Sequence, residues 1–196
     1  MKSFYWLLFY LFIGIKLIAQ TPYPINFENI QTDTFWTAFA NGISDPDDIS
    51  IILNSDKSGI NVSENTLEFK IKQNASSWVG MYGDFEPIQI TNNYHTISLM
   101  IYKTMISPCA IRIDLSSNGG APYELKVANT LINEWELLTF DLSEAIGYSY
   151  NRLVISPDYR DSRNESTSVL IDNIKIDIFE HVDVDLGGSK TIYLWK

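Results

Sequence analysis

The chain of 196 residues has a single cysteine, Cys109, and only two histidines, His95 and His181. One cysteine excludes an internal disulfide, so stability has to come from core burial or a bound metal. Cys109 sits between Pro108 and Ala110, just ahead of an apolar alternation, and reads as a small buried residue rather than a nucleophile. His-Glu-x-x-His spacing, cysteine pairs and glycine-rich phosphate loops are all absent from the sequence. His181 lies near the C-terminus, which leaves His95 as the one candidate catalytic base, with no nucleophile motif beside it. Positive charge is scarce too. Against 24 Asp and Glu stand 14 Lys and Arg, a net charge of −10 that disfavours nucleic acid and anionic lipid as partners. Neutral ligands and divalent cations suit such a surface.

Long hydrophobic runs are missing except at the start. Met1-Lys2-Ser3 is followed by an apolar stretch from Phe4 to Ile15, 12 residues, and by Ala19 as a small residue for cleavage. Twelve residues are too few to cross roughly 30 Å of hydrocarbon. Residues 1–19 therefore read as a cleavable signal peptide, with a retained anchor as the competing reading. Cleavage removes Lys2 and Lys16 and no acid, moving the net charge from −10 to −12. It implies an exported protein, secreted or held at the cell surface, with no membrane insertion afterwards.

Helical periodicity is also lacking, and alternation takes its place. Ile97, Leu99 and Ile101 share one parity, as do Ile111, Ile113 and Leu115, and Leu138, Phe140 and Leu142. Leu67-Glu68-Phe69-Lys70-Ile71 and Leu153-Val154-Ile155 alternate likewise, and Leu170, Ile174, Ile176 and Ile178 share one parity. Turn chemistry separates these runs, as in Ser55-Asp56-Lys57-Ser58-Gly59, Ser116-Ser117-Asn118-Gly119-Gly120 and Ser156-Pro157-Asp158. Seven or more such strands predict an all-β fold, a two-sheet antiparallel β-sandwich or jelly roll. Ser143-Glu144-Ala145-Ile146 suits one helical turn capped by Ser143. The domain spans 25–178, and 179–196 is too short to be another.

Several segments, in order, resemble the galactose-binding-like β-jelly-roll carbohydrate-binding modules of secreted polysaccharide-utilisation proteins. They are Asn26-Phe27-Glu28-Asn29, the loop from Asn54 to Ser63, Ser77-Trp78-Val79-Gly80, Glu134-Trp135-Glu136-Leu137, Tyr150-Asn151-Arg152-Leu153 and Ile171-Asp172-Asn173-Ile174. Asp185-Leu186-Gly187-Gly188 resembles the opening of a PKD-type immunoglobulin-like repeat, the other reading being an ordinary tail. The resemblance implies a non-catalytic role in binding a polysaccharide or oligosaccharide, a linked enzyme or surface-protein domain, and a structural Ca2+ ion. In such modules a first-strand acid and a final-strand acid meet and bind calcium with backbone carbonyls, which places Glu28 and Asp172 as ligands. Asp47, Asp48 and Asn54 are additional candidate donors, since calcium takes six to eight oxygens. The competing reading makes Asp172 a turn residue and Glu28 a solvated one. Alternation alone points Asp172 inward, where an uncompensated carboxylate is costly.

The chain holds 5 Trp, 11 Tyr and 10 Phe. A sugar ring packs its flat C–H face on such rings while Arg, Asp and Asn side chains fix its hydroxyls. Tyr102 opposes the inward Ile97, Leu99 and Ile101, and Arg112 and Asp114 oppose Ile111 and Ile113. If those strands are neighbours in one sheet, the three share a face, with Trp78, Tyr82, Tyr123 and Trp36 as bordering candidates. Each has a plainer reading: Trp36 and Trp78 as rings buried at a sheet edge, Trp135 as a structural lid, Arg112 with Asp114 as an exposed pair worth little. The sequence thus points to a glycan-binding module. A structural or adhesive spacer without a sugar site is the alternative, and a jelly-roll polysaccharide lyase or hydrolase the third reading.

Overall fold

The computed structural model describes residues 25–29, 35–42, 46–115 and 122–176. The signal segment, the Ser116–Gly120 turn and the 179–196 tail lie outside the described residues. Ten strands form two five-stranded sheets: β1 (Thr37–Phe39), β2 (Ile49–Leu53), β3 (Asn65–Ile71), β4 (Gly80–Gln89), β5 (Thr96–Tyr102), β6 (Pro108–Leu115), β7 (Tyr123–Ala128), β8 (Trp135–Asp141), β9 (Ser149–Ser156) and β10 (Thr167–Ile176). The front sheet runs β1-β4-β9-β6-β7 and the back sheet β2-β3-β10-β5-β8, with every pairing antiparallel. Stripped of the edge strands β1 and β2, the order β3-β10-β5-β8 against β4-β9-β6-β7 is the jelly-roll arrangement.

Alternation works as expected over most of the core. Ile97, Leu99 and Ile101 on β5 and Leu138 and Phe140 on β8 face Cys109, Ile111 and Ile113 on β6 and Leu153 and Ile155 on β9, all buried. Burial pushes the Cys109 thiol up to about 12, so it stays protonated and inert. β10 breaks the expected parity. Its register shifts between Asp172 and Lys175, where Asn173 takes a φ of 47°, and this bulge changes which residues face the core. Val169 and Ile171 point inward before it and Ile174 and Ile176 after it, so Leu170 and Asp172 belong to the outer side of the back sheet. Ser143 does not cap a helix. Ser143–Ala145 is a short 3-10 turn whose Ser143 N–H donates to Asp141 Oδ1 at 2.9 Å.

Four connections between the sheets meet at one end of the sandwich, and a buried polar node joins them. Lys103 Nζ, after β5, donates to Ser107 O at 2.7 Å and to Ser107 Oγ, and that hydroxyl donates to Asp158 Oδ1 after β9. Arg160 Nε donates to Asp158 Oδ2 at 2.7 Å. Arg163 reaches across to the β3–β4 connection, donating to Ser76 O at 2.9 Å and Ala75 O at 3.2 Å. Asn129, after β7, accepts from Ser107 N and donates to Met105 O and Leu131 O. Lys103 is almost fully buried, and that desolvation pushes its pKa down to about 8. Between pH 8 and 10.5 the unfolded chain holds a proton there that the folded chain has released, so stability rises with pH across this window. The unfolding free energy of the wild type, minus that of Lys103→Met, is expected to grow by roughly 2 kcal/mol between pH 7 and 10 in urea unfolding. A flat difference contradicts the burial of this ammonium.

Candidate functional site

On the outer side of the front sheet the register gathers side chains from four strands. Tyr82 on β4 stands opposite Val154 on β9, Val154 opposite Arg112 on β6, and Arg112 opposite Glu124 on β7. In the neighbouring row Asp84 stands opposite Arg152, which also faces Asp114. On the other flank Ala110 pairs with Ser156, and Gly80 lies so close to β9 that an added Cβ would collide with Ile155 O. Small residues there leave a depression bordered by larger ones, a groove open to solvent.

One rim is aromatic. Trp78 is 52% exposed and stacks on Phe39 at 5.6 Å, and Phe39 in turn lies 6.3 Å from Tyr82. Trp78 is held by its backbone: its carbonyl accepts from Ser156 Oγ at 3.1 Å, while Arg160 N and Arg163 bind the carbonyls of Ser77 and Ser76 just before it. The opposite part of the groove is polar. Arg112 grips Asp114 through Nε and Nη2 at 2.8 and 2.9 Å, and Arg152 grips Asp84 through the same atoms at 2.6 and 2.9 Å. The Arg152 hydrogen bonds hold the Asp84 carboxyl below its usual range, and the carboxylates raise both guanidiniums. Arg152 also lies over the Tyr82 ring, 4.4 Å from its centre.

Four of the seven ligand candidates, Trp78, Tyr82, Arg112 and Asp114, therefore line one groove. The other three do not. Tyr102 is on β5, in the back sheet, where it packs edge-on against Trp135 at 5.7 Å; strands β5 and β6 belong to different sheets. Tyr123 falls on the inward parity of β7, packs on the core and places its hydroxyl 3.3 Å from Glu144. Trp36 is 7% exposed and packed between Phe35 and Phe85 inside the sandwich. Trp135 is the expected lid, its indole N–H donating to Asp56 O at 2.8 Å beneath the β2–β3 loop. His95 lies 3.8 Å from Asp141 on the back sheet, apart from the groove. Sequence reasoning missed Phe39, Arg152, Asp84 and Val154. The outward parity of Arg152 beside Leu153 was a usable signal; the three-residue strand that carries Phe39 offers none.

A second cluster lies under the β2–β3 loop. Asp172 is fully buried and accepts from Asn61 Nδ2 at 2.8 Å and Asn173 N at 2.6 Å. Burial pushes its pKa up to about 6, against the pull of those hydrogen bonds, and the nearby Glu28 adds repulsion. Glu28 accepts from Glu64 N, Asn65 N and Asn65 Nδ2 at 2.7–3.1 Å, which ties the first segment to β3. Among the described residues no Lys, Arg or His forms an ion pair with Asp172. Two neighbouring carboxylates, one buried without a cation, are donors of the kind a hard cation takes, while the Asn61 and Asn65 amides present N–H rather than oxygen to them. Asp47 does not belong to this cluster. It precedes Ile49, which pairs with Phe69, whereas Glu28 binds at Asn65, opposite Leu53 and about 13 Å of strand away. No described group of three or more His, Cys, Asp or Glu is placed to hold a metal, so carbonyl oxygens would have to complete any shell.

No protein-family model and no curated protein matches the sequence. Solved structures do match in fold. A family 11 carbohydrate-binding module from Clostridium thermocellum, solved with a β-1,3-1,4-mixed-linked tetrasaccharide, has a TM-score of 0.51 at 16% identity, over 77% of this chain and 91% of that one. The family 11 module of the cellulosomal cellulase Lic26A-Cel5E from the same organism gives 0.51 at 14%, over 78% and 91%. An exo-β-agarase gives 0.54 at 10%, over 78% of this chain but only 24% of that chain. The fold is thus the β-sandwich found in these carbohydrate-binding modules. The exposure of Trp78 sets an optical test. Trp78→Phe is expected to lower acrylamide quenching of tryptophan fluorescence more than Trp36→Phe or Trp135→Phe does, and the reverse order contradicts this placement.

Proposed function

We propose that the chain is a non-catalytic carbohydrate-binding module whose front-sheet groove holds a glycan. The exposed Trp78 beside the hydrogen-bonding pairs of Arg112 and Arg152 carries the reading, because it joins a flat apolar surface to fixed donors and acceptors. The sugar's C–H face lies on Trp78 and Tyr82, and its hydroxyls meet Arg112 and Asp114. The likeness in fold to modules solved with bound oligosaccharide supports it. Export through residues 1–19 and tethering of a linked enzyme or surface domain to polysaccharide complete the proposal, since tethering needs only weak individual binding. In affinity electrophoresis through polysaccharide gels, Trp78→Ala is expected to abolish retention, and Arg112→Ala to weaken it at least tenfold, with melting temperatures near that of the wild type. Retention unchanged in both variants refutes the groove as the site, and a spacer role follows if no polymer retards the wild type.

Ca2+ bound by Glu28 and Asp172 belongs to the same proposal. A bound divalent cation would neutralise two neighbouring carboxylates and join the first segment, the β2–β3 loop and the last strand. Its expected signature is a rise in melting temperature with added Ca2+ and a fall with chelator, both lost in Asp172→Asn. Isothermal titration with CaCl2 alone gives an independent readout, and absence of both effects removes the site.

A further inference from the structure

Resting on the proposed glycan groove, we infer that the groove accepts neutral sugars and excludes acidic ones because its cations are already neutralised in place. Both guanidiniums lining it are gripped bidentately by carboxylates, Arg112 by Asp114 and Arg152 by Asp84. Arg152 stands between two acids, since Asp114 is its cross-strand partner on the other side. Glu124 lines the groove as a third carboxylate and takes the Lys126 ammonium at 3.1 Å. Lys126 also lies 3.6 Å from the centre of the Tyr159 ring, and neither residue lines the groove. Three carboxylates thus match three cations. A uronate or sulfate entering the groove would meet guanidiniums whose charge is already balanced, with the paired carboxylates beside them and against the field of a chain with a net charge of −10.

The same pairs remain useful to a neutral sugar. Each guanidinium has five N–H groups and spends two on its carboxylate, and each carboxylate oxygen keeps a free lone pair. A donor fixed beside an acceptor complements adjacent hydroxyls, each of which both donates and accepts. The rigid pairing also spares the ligand the entropy of ordering two long side chains.

Affinity electrophoresis of the full chain through two sets of polymers tests this inference. One set is neutral (mixed-linked β-glucan, xylan, β-galactan) and the other acidic (polygalacturonate, alginate, a sulfated galactan). The expected result is retention by at least one neutral polymer, changing less than about twofold between low and about 0.5 M salt, with none by the acidic set. Retention by any acidic polymer that collapses at high salt overturns the inference and leaves the glycan-binding proposal standing. Retention by no polymer overturns both. Asp84→Asn and Asp114→Asn, each freeing one guanidinium, are expected to gain measurable retention by polygalacturonate. If both variants fold and neither gains it, the pairing is not what excludes anions.

Discussion

Asp158 is the residue on which the two sheets' mutual placement turns. Its carboxylate is buried where four inter-sheet connections converge, and Ser107, Arg160 and Arg163 close around it while Lys103 reaches it through Ser107. Charged groups in such a place are tolerable only when paired, and a lost partner leaves an uncompensated charge behind. The node therefore fixes how the ends of β3, β5, β7 and β9 meet, more sharply than apolar packing would. It also reaches the groove. Arg163 holds the carbonyls of Ala75 and Ser76, Arg160 N binds Ser77 O, and Ser156 binds Trp78 O, so the exposed ring is anchored by the interior.

The front sheet adds a second constraint. β9 sits between β4 and β6, and its register decides that Arg152 and Val154 face outward while Leu153 and Ile155 face the core. A slip by one residue would exchange those faces, burying Arg152 and exposing Leu153, so the packed core itself enforces the groove. The two sides of the sandwich differ as a result. The front face keeps a groove with an exposed ring, whereas the middle of the back face is covered by the β2–β3 loop through Trp135 to Asp56 and Asn61 to Asp172.

Much of the fold was legible because burial of one face imposes a period of two. The parities of β3, β5, β6 and β8 read directly from Leu67, Ile97, Ile111 and Leu138. The rule failed where the backbone left regularity. At Asn173 a bulge moved Asp172 to the outer side while its burial stayed complete, because a loop distant in sequence covers it. Of the ligand candidates, Arg112 and Asp114 were correctly turned outward by parity, but Tyr123, counted among the bordering rings, is the first residue of β7 and falls on its inward parity.

What the sequence determined by itself was the alternation, the class of fold and the acidic, disulfide-free character of the surface, since each depends on residues close together in the chain. Which outward residues share a face was decided only by tertiary structure. Tyr102 and Arg112 are ten positions apart and each faces outward, yet they lie on opposite sides of the sandwich because the chain crosses between sheets after β5. Asp84 and Arg152 are distant in sequence and meet at 2.6 Å. Strand order is set by which long-range pairings best bury the whole core, and that sum is not written in any local segment.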